Sequence, residues 1–419
     1  MILNRVEEEM LSGKRGEAAR LAMSILTTMG DLYGARRMIP VVQGHIDGCS
    51  YAAVWDAGLE FAERLASLGA RVAVPTTLNI TARDIEDWRG FRIPEEHAGK
   101  CTRMEAAYHA MGCIPTWTCA PYQYALAPAF GQQIAWAESN AINYANSVLG
   151  ARTNRYGDLV DICCAIVGRV PEYGLHLKEN RAGQVLFKFE GMDSAVFSDP
   201  STYAAIGYLI GGIAGERIPV LDGLPASTTH EDLKALSAAA ASSGAVGLFH
   251  VVGVTPEAPT MAEAFQGRRP EEALTIDRAT LESTRDSLTS ARPGGPETVD
   301  LVIVGCPHSS YMEIERVLDR LGGRRIHSDV QFWIQTNRTV DMLLKRTGLR
   351  GLLDSLGIRL LHDGCILNFP LDAWGFKGIV TNSGKMAHYA PGHSGASVYF
   401  RSLDGCVESA VAGEVRCDE

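Results

Sequence analysis

Apolar and polar residues along this chain form alternating blocks that predict strands followed by helices. The segment GEAARLAMSILTTMGDLYGA has apolar residues at helical spacing, and AVWDAGLEFAERLASLG predicts a second helix. Between them, RMIPVVQGHIDG predicts a strand that runs into a polar turn. Further along, FGQQIAWAESNAINYANSVLGA predicts one long helix. The repeated order of strand and helix predicts an α/β fold with mostly parallel sheets.

The pattern continues to the C-terminal part of the chain, across one strong linker signal. Residues 291–300, ARPGGPETVD, are rich in proline and glycine and predict a connection between domains. Beyond it, LVIVG predicts a buried strand, followed by a tight turn and a helix from Met312. We therefore expect α/β domains over residues 1–185, 186–292 and 293–419.

Six segments combine polar residues with cysteine, histidine or lysine next to predicted strand ends and turns. In parallel sheets, functional groups gather at the carboxyl ends of the strands. A single segment of this kind is weak evidence, because a histidine beside a glycine is more often a hydrogen-bonded turn residue. The six segments are GHIDGCSY (44–51), PTTLN (75–79), PTWTCAPY (115–122), GCPH (305–308), HDGCILNFP (362–370) and TNSGKMAHYAPGHSG (381–395).

Composition excludes several classes of function. The net charge is −10 and no block of lysine and arginine occurs, which argues against a nucleic-acid surface. No apolar run approaches 18 residues, and the charged N-terminus has no apolar signal core. We therefore expect a cytoplasmic protein that contacts neither membranes nor nucleic acids. Its ten cysteines do not predict a disulfide framework in that compartment.

The cysteines differ in their surroundings. Cys163 and Cys164 lie in an apolar run and are expected in the core, whereas Cys119, Cys306 and Cys365 each lie in a predicted turn beside a helix start or a proline. No C-x-x-C motif occurs, so the sequence carries no zinc-ribbon or ferredoxin signature. Spacing alone leaves open whether the last three bind a metal or fill space.

Five longer motifs resemble the aconitase X family of the aconitase superfamily: TCAPY, AWAESNAINYANSVLGARTNR, YGLHL, GCPH and TNSGKMAHYAPG. The resemblance covers nearly the whole chain. It implies an aconitase-like fold in which several α/β domains surround a central cleft for a metal cluster. Family members also have a mobile swivel domain, which supplies a serine thought to act as the base. We expect this chain to be a large subunit without that domain, with a small swivel subunit as its partner.

The resemblance also implies chemistry. Family members are hydro-lyases, and the bacterial ones typically convert cis-3-hydroxy-L-proline to Δ1-pyrroline-2-carboxylate; phosphomevalonate dehydratase is the alternative. The family pattern makes Cys119, Cys306 and Cys365 the metal ligands. The cofactor would be a 2Fe-2S or 4Fe-4S cluster or mononuclear iron. A cluster held by three thiolates leaves one iron open to act as a Lewis acid on the leaving hydroxyl.

The remaining polar residues receive roles by analogy, each with a plain structural alternative. Lys385 is expected to hold the substrate carboxylate, and His45 and Asp47 to act on the leaving hydroxyl; otherwise Lys385 would cap a surface turn and the other two would form an Asx-stabilised turn. The expected substrate-binding residues could equally form caps, turns or a domain contact. They are Thr76, Thr77, Asn79, Glu138, Ser139, Asn146, Ser147, Arg152, Asn382, Ser383 and His388.

Two hypotheses that assign this chain to other functional classes stay open at this point. One is a zinc hydrolase built on His45, Asp47 and His308, although the usual ligand spacing is absent from the sequence. The other is an inactive metal-binding assembly module that kept the fold and lost the activity. Loss of one of the three candidate ligand cysteines would favour that module, yet all three are present.

Overall fold

Three parallel sheets organise the chain in the computed structural model, which describes residues 1–291 and 298–418. Most of the predicted linker over 291–300 therefore lies outside the described residues. The predicted α/β class with mostly parallel sheets is confirmed, and one small antiparallel pair is added. Within the described residues, no helix is long and apolar enough to cross a membrane.

The first region contains two small sheets. An antiparallel pair joins β1 (Met38–Pro40) to β5 (Arg169–Pro171). In the parallel sheet, β2 (Gly44–Ile46) lies between β3 (Thr76–Leu78) and β4 (Ala135–Trp136). His45 therefore stands in register with Thr77 on one side and Trp136 on the other, which sets the geometry described below.

Two larger parallel sheets follow. The second has the order β8-β7-β6-β9, formed by β6 (Val185–Phe189), β7 (Pro219–Asp222), β8 (His250–Val251) and β9 (Glu272–Ile276). The third has the order β12-β11-β10-β13-β14. Its strands are β10 (Leu301–Ser309), β11 (Gln331–Thr336), β12 (Ile358–Leu361), β13 (Gly378–Thr381) and β14 (Ser397–Phe400).

Helices cover these sheets, and one apolar core joins the second and third sheets. The core includes Phe187 from β6, Ile303 from β10 and Phe400 from β14. The helices are α1 (Arg5–Leu11), α2 (Glu17–Leu32), α3 (Tyr51–Ser67), α4 (Glu95–Ala110), α5 (Ser139–Ser147), α6 (Val160–Val167), α7 (Pro200–Ala214), α8 (His230–Ser243), α9 (Met261–Ala264), α10 (Arg278–Ser287), α11 (Tyr311–Leu321), α12 (Arg338–Thr347), α13 (Leu349–Leu356), α14 (Gly384–Ser394) and α15 (Leu403–Ala412).

The long helix predicted over FGQQIAWAESNAINYANSVLGA is wrong. Ala135 and Trp136 form β4, and the helix begins only at Ser139. Glu138 is the reason for the late start, because its side chain accepts a hydrogen bond from the backbone N–H of Ala141 and caps the helix. Apolar residues on both sides of this boundary hid the strand from a periodicity argument.

The tight turn predicted directly after LVIVG is also wrong. Strand β10 continues through Cys306 to Ser309, and the Cys306–Pro307 peptide bond is cis. The pairing with β11 shifts register between Val304 and Ser309, so the strand is irregular rather than ended. Cys306 is accordingly half-buried in a strand, not exposed on a turn.

Candidate functional site

Cys119, Cys306 and Cys365 are free, half-buried cysteines on three separate segments of the chain. Cys119 precedes a short turn of 3-10 helix, Cys306 lies in β10, and Cys365 comes just before another such turn. Burial raises the pKa of all three thiols, to about 12 at Cys365, and Cys306 adds to the rise at both other sulfurs. Cys306 is therefore close enough to the other two thiols to act on them electrostatically, and their joint role as metal ligands stays a prediction.

A buried ion pair lies beside these thiols. Lys385 Nζ is 2.8 Å from Glu138 Oε1, and both side chains are largely buried. Burial opposes the charge of Lys385, but Glu138, Cys306 and Cys119 outweigh that effect and raise the pKa of the ammonium well above its usual value. The same ammonium lowers the pKa of all three thiols, although burial dominates. Lys385 therefore stays charged and stabilises any thiolate formed here.

The start of α14 positions Lys385. Ser383 caps this helix by accepting a hydrogen bond from the N–H of Met386 at 3.1 Å, and its hydroxyl donates to the carbonyl of Cys306. Lys385 thus lies in the first turn of α14, where helix N–H groups add positive potential. Asn382, which directly precedes Ser383, is half-buried. His388 is exposed on α14, and its Nδ1 lies 3.4 Å from the hydroxyl of Tyr208.

His45 lies fully buried on β2. Its Nδ1 is 2.8 Å from Thr77 Oγ1, and that hydroxyl donates to the carbonyl of Gly44 at 3.3 Å. This arrangement favours a proton on Nδ1, which leaves Nε2 as an acceptor. Nε2 has no hydrogen-bond partner within the described residues. Burial lowers the pKa of His45 to about 3, so the ring is neutral.

Asp47 follows β2 and belongs to a group of neighbouring carboxyl groups. It accepts a hydrogen bond from Asn79, whose Oδ1 has no partner within the described part of the chain. Burial raises the pKa of Asp47 well above its usual value, and the negative charges of Asp158 and Glu138 raise it further. Asp47 therefore holds a proton more firmly than an ordinary aspartate.

Several other predicted binding residues bond to the protein itself. Thr76 donates to the carbonyl of Val74 at 2.8 Å, and Ser147 accepts from the N–H of Phe249 at 2.9 Å. Asn146 donates to the carbonyls of Thr153 and Gly247. These contacts support the scaffold around the site, and a role in binding substrate stays a prediction for all three.

Ser139 and Arg152 have fewer partners. Ser139 is half-buried next to Glu138, with its hydroxyl 3.5 Å from that carboxylate. Arg152 is half-buried, and its Nε has no hydrogen-bond partner among the described residues. A role in binding substrate stays a prediction for both.

Two polar residues contact Cys119 directly: Asn140, which sequence reasoning did not place in the site, and His308, which it considered as a zinc ligand or as a neighbour of the cluster. Asn140 donates to the carbonyl of Cys119 at 3.0 Å and to Glu138, and it accepts from the hydroxyl of Tyr122 at 2.9 Å. The backbone N–H of His308 donates to Cys119 Sγ at 3.3 Å. The sequence signal for Asn140 was only its place beside Glu138 in the motif AESN.

The spacing of possible ligands bears on the cofactor. No three His, Cys, Asp or Glu side chains in residues 1–291 and 298–418 form a ready group for a single metal ion. One tetrahedral ion bound by sulfur at about 2.3 Å needs its ligand atoms within about 4 Å of one another. His45, Asp47 and His308 therefore do not assemble into the zinc site considered above.

Comparison with known proteins identifies the family. Family models described as the Aconitase X first, second and third domains match residues 1–179, 183–286 and 299–412. The chain is 44% identical to cis-3-hydroxy-L-proline dehydratase of Pseudomonas aeruginosa, covering 98% of this chain and 70% of that protein. It is 40% identical to the enzyme of the same name from Hypocrea jecorina, with coverages of 98% and 69%.

Two archaeal proteins extend the comparison. The phosphomevalonate dehydratase large subunit of Methanothermobacter thermautotrophicus is 38% identical, covering 95% of this chain and 96% of that one. The crystal structure of Thermococcus kodakaraensis aconitase X in its holo-form superposes with a TM-score of 0.88 at 33% identity, covering 98% and 100% of the two chains. The aconitase-like fold is thereby confirmed, and the named relatives are dehydratases, as the resemblance implied. This chain belongs to the aconitase X family.

Proposed function

We propose that this chain is the large subunit of a hydro-lyase that converts cis-3-hydroxy-L-proline to Δ1-pyrroline-2-carboxylate. Identities of 44% and 40% to dehydratases of that name support the assignment. The observation that carries it is the charge of the site. Lys385 stands directly beside Glu138 at 2.8 Å, and Asp47 lies close enough to Glu138 for its pKa to be raised by that carboxylate.

This charge arrangement suits a zwitterion. Hydroxyproline carries a carboxylate that Lys385 can bind and a secondary ammonium that Glu138 can bind, so one substrate replaces both halves of the existing ion pair. A phosphorylated substrate would instead bring two or more negative charges next to Glu138. Repulsion between like charges in a partly buried site would weaken its binding.

We assign the cofactor to Cys119, Cys306 and Cys365, as a 2Fe-2S or 4Fe-4S cluster or mononuclear iron. The convergence of these half-buried thiols beside a lysine that lowers their pKa supports this assignment. When bound, the iron centre would supply a Lewis acid for the leaving hydroxyl.

The side chains of this chain divide the remaining work. Lys385 orients the substrate through its carboxylate, and we assign Thr77, Asn79 and Asn382 to substrate binding beside it. The free Nε2 of His45 accepts a hydrogen bond from the substrate. Asp47, whose pKa is raised, holds a proton that the departing hydroxyl can take. A base on a small swivel subunit removes the proton at Cα, and this chain forms a heteromer with that subunit. The name 'large subunit' of the archaeal relatives supports such a partner.

A second candidate is the large subunit of a phosphomevalonate dehydratase. One observation favours it: a protein of that name is 38% identical to this chain over 95% of this chain's length. The charge of the site favours hydroxyproline, and we give that charge more weight.

Co-expression with the small subunit under anaerobic conditions decides between the two substrates. We expect water elimination from cis-3-hydroxy-L-proline and none from phosphomevalonate, measured by product chromatography. The trans isomer of 3-hydroxy-L-proline serves as a stereochemical control. Turnover of phosphomevalonate alone would replace the assignment, and turnover of neither by an iron-loaded complex would refute both.

A further inference from the structure

His308 is a buried histidine, and each of its polar groups makes a hydrogen bond. The partners belong to the segments that contain Cys119 and Cys365 or to residues that pack beside those segments. Only 1% of the residue is exposed. Its backbone N–H donates to Cys119 Sγ at 3.3 Å. Its carbonyl accepts hydrogen bonds from Lys234 Nζ at 3.1 Å and from Gln123 Nε2 at 3.2 Å. The backbone of His308 is thereby fixed between the Cys119 segment and helix α8.

The ring of His308 links the other two segments. Nε2 lies 3.1 Å from the carbonyl of Gly364, the residue before Cys365, and Nδ1 lies 3.1 Å from the hydroxyl of Thr118. A carbonyl can only accept, so Nε2 carries the ring proton and Nδ1 accepts from Thr118. The Thr118 oxygen also accepts a hydrogen bond from the N–H of Ala120 at 3.1 Å. The hydroxyl that donates to His308 is therefore held by the residue that follows Cys119.

We infer that His308 is a positioning residue that sets the relative placement of the three thiols. Cys306 is two residues before His308 on β10, and the His308 ring connects the residue before Cys119 to the residue before Cys365. Three segments separated by long stretches of sequence therefore share one rigid side chain. The inference rests on the proposed use of these thiols as cofactor ligands. Groups bonded around metal ligands commonly control ligand orientation, and their loss costs about 10–100-fold in metal affinity.

Other buried histidines do not have this arrangement. His250 donates to the carbonyl of Arg181 at 2.7 Å, and its Nδ1 has no partner within the described residues. His176 contacts Tyr156 and Gln133. His250 therefore provides a matched control, because it is equally buried and also bonds a backbone carbonyl, but touches none of the three cysteine segments.

The test compares His308→Gln, His308→Asn, His308→Ala and Thr118→Val with His250→Gln, all in the full chain with its small subunit. Iron and sulfide content, visible and EPR spectra, and iron retention against a chelator are measured after anaerobic reconstitution. We expect iron retention to fall about 10–100-fold in His308→Ala and less in Thr118→Val. Gln can still donate to Gly364 and Asn can still accept from Thr118, so these two should lie between wild type and Ala.

A second readout uses metal-free protein. Alkylation of each cysteine, followed by mass spectrometry, should show Cys119 and Cys365 reacting several-fold faster in His308→Ala, because both segments lose their anchor. His250→Gln should keep wild-type alkylation rates and iron retention even if its melting temperature falls. If His308→Ala folds and binds iron with wild-type affinity and spectrum, the inference is wrong. Iron retained by Cys306→Ser would instead overturn the ligand set of the proposed function, so the two failures are distinguishable.

Discussion

The ion pair between Lys385 and Glu138 allows a prediction that separates binding from scaffolding. We replace Lys385 by Met, which keeps the chain length and removes the charge. Glu138 then keeps hydrogen bonds from Ala141 N at 2.7 Å and from Asn140, but loses its cation. Breaking a buried pair costs about 3–5 kcal/mol. The remaining donors place this case near 3 kcal/mol, which lowers the melting temperature by roughly 6–12 °C at about 2–4 °C per kcal/mol.

The double variant Lys385→Met/Glu138→Gln should recover much of that loss. The side chain at position 138 would then be a neutral amide and no longer an uncompensated buried charge, so the two effects on the melting temperature should not add. Activity should behave differently. A charge-assisted hydrogen bond from Lys385 to the substrate carboxylate contributes about 1.5–3 kcal/mol, so kcat/KM should fall at least about tenfold in both variants.

The assay combines thermal melting followed by circular dichroism with steady-state kinetics on the iron-loaded complex. Recovery of the melting temperature without recovery of kcat/KM is the expected result. A Lys385→Met enzyme with near-normal kcat/KM would refute the role of Lys385 in binding substrate. Activity restored together with stability in the double variant would show that the pair serves only the fold. Lys385→Arg should restore activity only in part, because a planar guanidinium differs from a compact ammonium.

Three further predictions test the site and the fold. Replacing Cys119, Cys306 or Cys365 by Ser should remove bound iron and activity, whereas Cys163→Ser should keep both; iron analysis and assay check this. The purified chain without its small subunit should show no dehydration, and measurable turnover would contradict it. Burial opposes ionisation of Asp84, but hydrogen bonds from His362 and backbone N–H groups lower its pKa to about 2. The ionised Asp84 therefore contributes to stability above about pH 4, and this contribution is lost as the pH falls through about 2. Asp84→Asn should lower the melting temperature far more at about pH 7 than at about pH 2.

The sequence by itself determined the kind of protein. Alternating blocks of apolar residues specified strands and helices, since backbone geometry ties a period of two or 3.6 residues to each element. Long local motifs specified the family, and the family resemblance then singled out their cysteines and Lys385 as candidate site residues. Local patterns misled where a boundary depended on distant pairing: β4 forms because Ala135 and Trp136 pair with β2, and β10 continues past Cys306 because Ser309 pairs with Thr336.

Only the tertiary structure decided how the site is built. The partners of Lys385 and of the Thr118–His308–Gly364 chain lie between 56 and 247 residues away along the sequence, and no periodicity relates them. Histidines 45 and 308 both stand beside a glycine or a proline in the sequence. Among the described residues, Nε2 of His45 has no hydrogen-bond partner, whereas every polar group of His308 is bonded. Burial and hydrogen-bond partners arise from packing between domains, and they set the charge and direction of each side chain.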